Sequence, residues 1–276
     1  MPVMRFPNGL RKALTLSYDD GVEQDRQLIG ILDAAGLKCT FNLNSGCFPP
    51  EGHVWPKGQI HRRMPASAVQ ALYKGEHEVA VHTLTHPDLT QLPLNEMVRE
   101  LTEDRLNLEK MFGTLVRGAA YPYGTYSDQT VEALKASGLV YCRTVWSSHD
   151  FSIPQDWLRL RPTCHHADPE LDTLCDRFLK ENPYANSRLF YLWGHAYEFE
   201  AVDNWDVIRR FADKMGGRDD IWYATNIAVY DYVDAWRRLR VSADGKTWHN
   251  PTATTLWAEQ NGSVTEIGPG RTVSLR

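Results

Sequence analysis

Several classes of protein are excluded by what this sequence has little of. No run of about 18 consecutive apolar residues occurs, so no membrane-spanning helix is expected. The five cysteines, Cys39, Cys47, Cys142, Cys164 and Cys175, are odd in number and form no CxxC pair, which argues against both a disulfide framework and a thiolate zinc site. Basic residues are outnumbered, with 30 Lys and Arg against 35 Asp and Glu, and the formal charge is −5. Without a dense Lys/Arg stripe the chain lacks the electrostatic footprint of a nucleic-acid binder. The one local basic run, Arg237, Arg238 and Arg240, falls where a helix should end and offsets its dipole. Residues 1–12 hold no apolar h-region with a small-residue cleavage site, so a cytoplasmic location is the expectation. Low-complexity tracts and internal repeats are absent, and no pattern speaks to the oligomeric state.

What remains is a globular composition, 42% apolar and 24% charged, in a chain of 276 residues, a length that α/β barrels fill as one domain. From residue 12 to about 240, strand-like runs alternate with amphipathic helices, the pattern of βαβ units around a parallel sheet. A strand at 13–18 leads into Leu28, Ile31, Leu32 and Ala35 at helical spacing, closed by Gly36. Leu37, Cys39, Phe41 and Leu43 then alternate with period two. Further strands are expected at 78–81, 140–144, 158–161, 189–193 and 221–224. Further helices are expected at 95–112, 127–137, 204–215 and 226–239, and another is capped by Asp168 before Pro169. Beyond about residue 240, Asp244-Gly245, Asn261-Gly262 and Pro269-Gly270 mark hairpins and turns. The expected architecture is a distorted (β/α)7–8 TIM-like barrel over 1–240, with a small β appendage over 241–276.

Four motifs sit where strands end, the face on which barrels carry their chemistry. Asp19-Asp20-Gly21 offers two diverging carboxylates, one free to hold a cation while its neighbour takes a proton from water. A plain turn would use the same residues. His82 and His86 can face one point if the backbone between them makes a helical turn, and imidazole plus carboxylate suits zinc or a similar divalent ion. Tyr121-Pro122-Tyr123-Gly124 fixes an unusual backbone path, and His195 follows the apolar run ending in Trp193-Gly194.

Taken together and in this order, Tyr18-Asp19-Asp20-Gly21, His82-Thr83-x-x-His86, Tyr121-Pro122-Tyr123-Gly124 and His195 resemble the polysaccharide deacetylase family, also called the NodB-homology or carbohydrate esterase family four. The resemblance covers roughly residues 12–225. It implies a hydrolase that removes N- or O-linked acetyl groups from a carbohydrate or another small acetylated substrate. It further implies Asp19 as base, Asp20, His82 and His86 as ligands of one divalent ion (zinc, or cobalt, nickel or manganese), His195 as acid, and the Tyr123 amide as a donor to the oxyanion.

One departure stands out: the family's motif carries an arginine two residues before the proline, where this chain has Ala120. Arg143 or Arg161, each near a strand end, is expected to supply that charge, and Asp150 to orient His195. Tyr121, Trp146, Trp193 and His165 are candidates to contact the sugar, with His166 beside them. Two other readings stay open: a metal-dependent amidohydrolase acting on a non-sugar linear or cyclic amide, with Glu198 and Glu200 binding a substrate amine, and a sugar-binding barrel that has lost catalysis.

Overall fold

The structure is a computed structural model and describes residues 2–73, 75–180 and 186–274. Eight parallel strands form the principal sheet: β1 (Lys12–Asp19), β2 (Cys39–Leu43), β3 (Glu78–Val81), β4 (Gly118–Ala120), β5 (Tyr141–Arg143), β6 (Cys164–His165), β7 (Arg188–Gly194) and β8 (Ile221–Tyr223). Their order is β5-β4-β3-β2-β1-β7-β6, with β8 beside the first half of β1. This is the expected α/β barrel, and its distortion has a definite place. The strand expected at 158–161 is instead a short 3-10 turn, Trp157–Arg159, because Asp156 accepts from the amides of Leu158 and Arg159 and curls the backbone. Only Leu160 reaches β5, exchanging hydrogen bonds with Cys142 and Thr144, while Cys164–His165 pairs with β7. Residues 160–165 therefore join the two edges of the sheet.

Side-chain parity decides what the barrel interior receives. Along β1, Leu14, Leu16 and Tyr18 pack with Leu28 and Leu32 of the following helix, so Ala13, Thr15, Ser17 and Asp19 face the other way. The same alternation sends Phe41 and Leu43, Val79 and Val81, Cys142, and Phe190 and Leu192 outward. Asn42, Ala80, Ala120, Arg143, Tyr191 and Trp193 then face in, and His82 continues the inward series of β3. In register, Asp19 lies beside Asn42, Ala120 beside Arg143, and Ser17 beside Trp193. A layer of polar inward residues thus crosses the C-terminal end of the barrel.

The helix expected to be capped by Asp168 begins later, at Leu171; Asp168 caps the turn ahead of it, accepting from Glu170 N–H at 2.9 Å. After the barrel come two three-stranded antiparallel sheets, one of which takes in Val3–Arg5 from the start of the chain, paired with Leu256–Gln260. No helix among the described residues is long and apolar enough to cross a membrane.

Candidate metal and acid–base site

β1 ends on Asp19, and the chain then turns sharply, with Asp20 at φ 81° and Gly21 at φ 66°. This left-handed pair, tolerable at Asp and natural at Gly, makes the adjacent carboxylates diverge. Asp19 stays with the inward layer at 2% exposure. Its Oδ1 accepts from Asn42 Nδ2 at 2.8 Å, and its Oδ2 is bonded by the Arg143 guanidinium. Burial alone would raise the Asp19 pKa, but Arg143, and after it His82 and His195, outweigh that and hold the group below the usual carboxylate range. Arg143 is itself buried, stacked 4.3 Å from the Trp193 ring centroid. Of the two arginines considered for the charge missing at Ala120, the structure brings Arg143 to Asp19, from the strand position directly beside Ala120. Arg161 is exposed and lines a separate hollow with Asp150, about 310 Å³ in volume.

Asp20 turns toward the two histidines. One ligand atom each from Asp20, His82 and His86 lies within 4.8 Å of the others. The loop between the histidines makes no helical turn; Thr83 at φ 67° and His86 at φ 60° fold it back, and the rings meet 4.8 Å apart at 74°. His82 Nδ1 lies 2.9 Å from the carbonyl of Ala120. A carbonyl only accepts, so Nδ1 carries the proton and Nε2 presents a lone pair inward. Burial holds both imidazoles neutral, His86 at about 4, while Asp20 stays ionised because His61, His82 and Arg63 overcome its own burial. Two neutral imidazoles and one carboxylate are in the protonation states a divalent cation requires, so these residues fit the ion the resemblance implies.

On the other side of Asp19, His195 Nε2 stands 3.7 Å from Asp19 Oδ2. Its Nδ1 lies 3.4 Å from Glu198 Oε2, and the same oxygen accepts the His195 backbone N–H at 3.2 Å. Asp150 does not orient His195, since its carboxylate is exposed and caps Phe151 N–H instead. The nearest carboxylate is that of Glu198, which is engaged by the His195 backbone N–H and by His165 and so is no free amine binder, and Glu200 is likewise engaged in a two-pronged pair with Arg62. His165, His195 and Glu198 could also hold a metal by distance. The tautomer argues otherwise: Ala167 N–H donates to His165 Nδ1 at 3.1 Å, so Nε2 bears the proton and donates to Glu198, 3.0 Å away.

The proposed sugar contacts separate. Tyr121 is buried and donates its hydroxyl to Leu158 O at 2.8 Å, and Trp193 is 7% exposed beneath Arg143, so neither face is open to a ring. Trp146 is exposed, at 63%, on the loop after β5; Tyr123, at φ 59° and 64% exposure, stands edge-on to His86. Sequence reasoning missed His61, which reaches Asp20 Oδ2 at 3.1 Å, and Arg63, which reaches Oδ1 at 2.7 Å. Both lie in a long irregular segment with no periodicity to flag them.

Residues 7–142 match the family model described as polysaccharide deacetylase. A chitooligosaccharide deacetylase of Rhizobium leguminosarum is 30% identical over 149 residues, covering 53% of this chain and 57% of that protein. Another, of Sinorhizobium fredii, is 27% identical over 167 residues, covering 59% and 64%. The chain thus spans less than two thirds of the length of these relatives. Among solved structures it is similar to a candidate polysaccharide deacetylase of Mycobacterium smegmatis (TM-score 0.59, 17% identity, 86% of this chain and 95% of that one). It is also similar to a family 4 carbohydrate esterase of Streptomyces lividans (TM-score 0.50, 16% identity, 77% and 92%). At these identities the two structures speak for a shared fold.

Proposed function

We propose that this chain, whose residues 7–142 match the polysaccharide deacetylase family model, is a metal-dependent hydrolase that removes acetyl groups from a carbohydrate. The observation that carries this reading is the convergence of Asp20, His82 and His86 within 4.8 Å, next to an ionised Asp19 that holds no place in that cluster. Chitooligosaccharide deacetylases among the relatives point to N-acetyl groups on short oligomers as the first substrates to try.

When bound, a divalent ion, zinc by choice of ligands and cobalt, nickel or manganese by the same chemistry, supplies a Lewis acid at the acetyl carbonyl. Asp19 takes a proton from the attacking water; Arg143 keeps that carboxylate ionised and Asn42 fixes its rotation. The amide of Tyr123, at the turn beside His86, is the donor assigned to the developing oxyanion, a contact typically worth about 3–4 kcal/mol. His195, whose backbone N–H is held by Glu198, presents Nε2 to the leaving nitrogen or oxygen and protonates it as the C–N or C–O bond breaks. Water and the acetylated sugar become acetate and the free amine or alcohol.

The arginine absent at Ala120 would favour a barrel without catalysis, and Arg143 bonded to Asp19 supports the catalytic reading instead. Measuring acetate release from chitooligosaccharides, acetylated xylan and small N-acetyl compounds, beside ammonia release from linear and cyclic amides, tests the proposal. Acetate from a saccharide supports it; ammonia alone favours the amidohydrolase.

A further inference from the structure

The helix Leu94–Phe112 buries one stripe, and Met97, Leu101 and Leu108 fill it as amphipathic spacing requires. Two residues on that stripe break the rule: Glu100 and Asp104, one turn apart, are 4% and 0% exposed. Buried carboxylates need partners, and both find them at the loop carrying His82 and His86. Glu100 Oε2 accepts from Thr85 N–H at 2.8 Å and its Oε1 from the Thr85 hydroxyl at 2.9 Å, while its main-chain carbonyl accepts from Leu84 N–H at 3.0 Å. Asp104 Oδ2 accepts from His82 N–H at 3.2 Å, and its Oδ1 from Ser45 N–H at 2.7 Å. Asn44, next to Ser45, donates to the carbonyls of His82 and Thr83.

That loop needs an external frame. Thr83, β-branched, and His86 both adopt left-handed backbone, a conformation that persists only where surrounding contacts over-determine it. Inside the loop, His86 N–H donates to Thr83 Oγ1 at 3.1 Å. The amides of Leu84 and Thr85 are held by Glu100 of the helix, and Asp104 shares the His82 N–H with Leu43 O of the neighbouring strand, 2.9 Å away.

We propose that Glu100 and Asp104 are positioning residues that set the metal affinity of the Asp20–His82–His86 site, by fixing the backbone path that aims the two imidazoles. This inference rests on the metal-site reading above. Its test is the zinc dissociation constant of the full chain, by competition with a chromophoric chelator, for wild type, Glu100→Gln, Asp104→Asn and Thr85→Val, with the unfolding midpoint of each metal-free protein measured alongside. Glu100→Gln keeps the volume and can keep both Thr85 contacts, since the hydroxyl can accept as well as donate, but it loses the charge that shortens and strengthens them, and zinc binding is expected to weaken roughly threefold. Thr85→Val, at an exposed position, loses the hydroxyl bond alone and should weaken binding roughly threefold. A purely structural role would lower the midpoint and leave the affinity of the folded protein unchanged. Unaltered zinc affinity in folded Glu100→Gln and Thr85→Val overturns the proposal, and those two variants decide it even if Asp104→Asn does not fold. Zinc binding that survives Asp20→Ala undiminished, or is absent from wild type, overturns the metal-site reading itself, and this inference with it.

Discussion

Asp19 is an ionised carboxylate at 2% exposure whose charge is balanced chiefly by one guanidinium. Removing that partner strands a charge in the interior, so Arg143→Ala is expected to cost about 3–5 kcal/mol of stability by chemical denaturation. It should lower turnover by roughly 10²-fold through loss of an effective base. Arg143→Lys, lacking the planar fork and the stack on Trp193, should recover only part of each. Asp25 gives the opposite case. It is fully buried and bonded by the Tyr73 hydroxyl and Val22 N–H, and burial pushes its pKa up from 3.8 to about 8. The folded state therefore holds a proton that the unfolded state releases across this interval, so the stabilisation present below pH 3.8 is lost as pH rises through about 8. Urea unfolding between pH 4 and 9 should show that decline, and Asp25→Asn should make it shallower, the rest coming from the buried carboxyls of Glu78 and Asp104, which burial raises to about 7 and about 8. A decline that is just as steep in Asp25→Asn would assign it to other groups. At this scale the sequence was legible wherever a residue type at a strand end announces chemistry, as Asp19, Asp20, His82 and His86 do. It was not legible where an engaged neighbour changes the meaning: Trp193 and Tyr121 read as open aromatics, and only packing reveals Arg143 and Leu158 upon them.

Among the elements, strand parity aimed the site. The alternation that sends Leu14, Leu16 and Tyr18 to the helices also delivers Asp19 inward, and the same holds for His82 and Arg143. This period-two signal is present in the sequence but left Arg143 and Arg161 both open, because 158–161 reads as a strand and its 3-10 turn is visible only in the structure. The Asn261-Gly262 hairpin was legible for a local reason: both residues take positive φ, 53° and 80°, in a two-residue loop between Leu256–Gln260 and Ser263–Ile267. Glycine at 194 has a different reason, since a Cβ there would overlap the His166 imidazole. His166 Nδ1 lies 3.2 Å from the Tyr18 hydroxyl, and its Nε2 lies 3.3 Å from Glu198, the carboxylate that holds the His195 backbone N–H. Gly194→Ala should therefore displace His166 and loosen Glu198, lowering kcat with little change in metal content. Unchanged kcat in a folded Gly194→Ala protein would show that the His166–Glu198 contact is dispensable.

Across the whole molecule, residues from one end of the chain to the other share a single rim. Asp19 and Asp20 come from the first barrel strand, His82 and His86 from the third, Arg143 from the fifth and His195 from just past the seventh, and the parallel sheet is what gathers them. That gathering follows from barrel topology and was readable from alternating helices and strands. The pairing of Val3–Arg5 with Leu256–Gln260 was not, because three residues joined to a partner some 250 positions away leave no local pattern. The central claim is that Asp20, His82 and His86 hold the ion on which deacetylation depends. Acetate release from N-acetylated chitooligosaccharides by metal-stripped protein, before and after adding zinc, tests it directly when Asp20→Ala and His82→Ala are carried alongside. The account predicts activity restored by zinc in the wild type and by no added zinc in either variant; release that survives metal stripping, or that zinc restores equally in the variants, would contradict it.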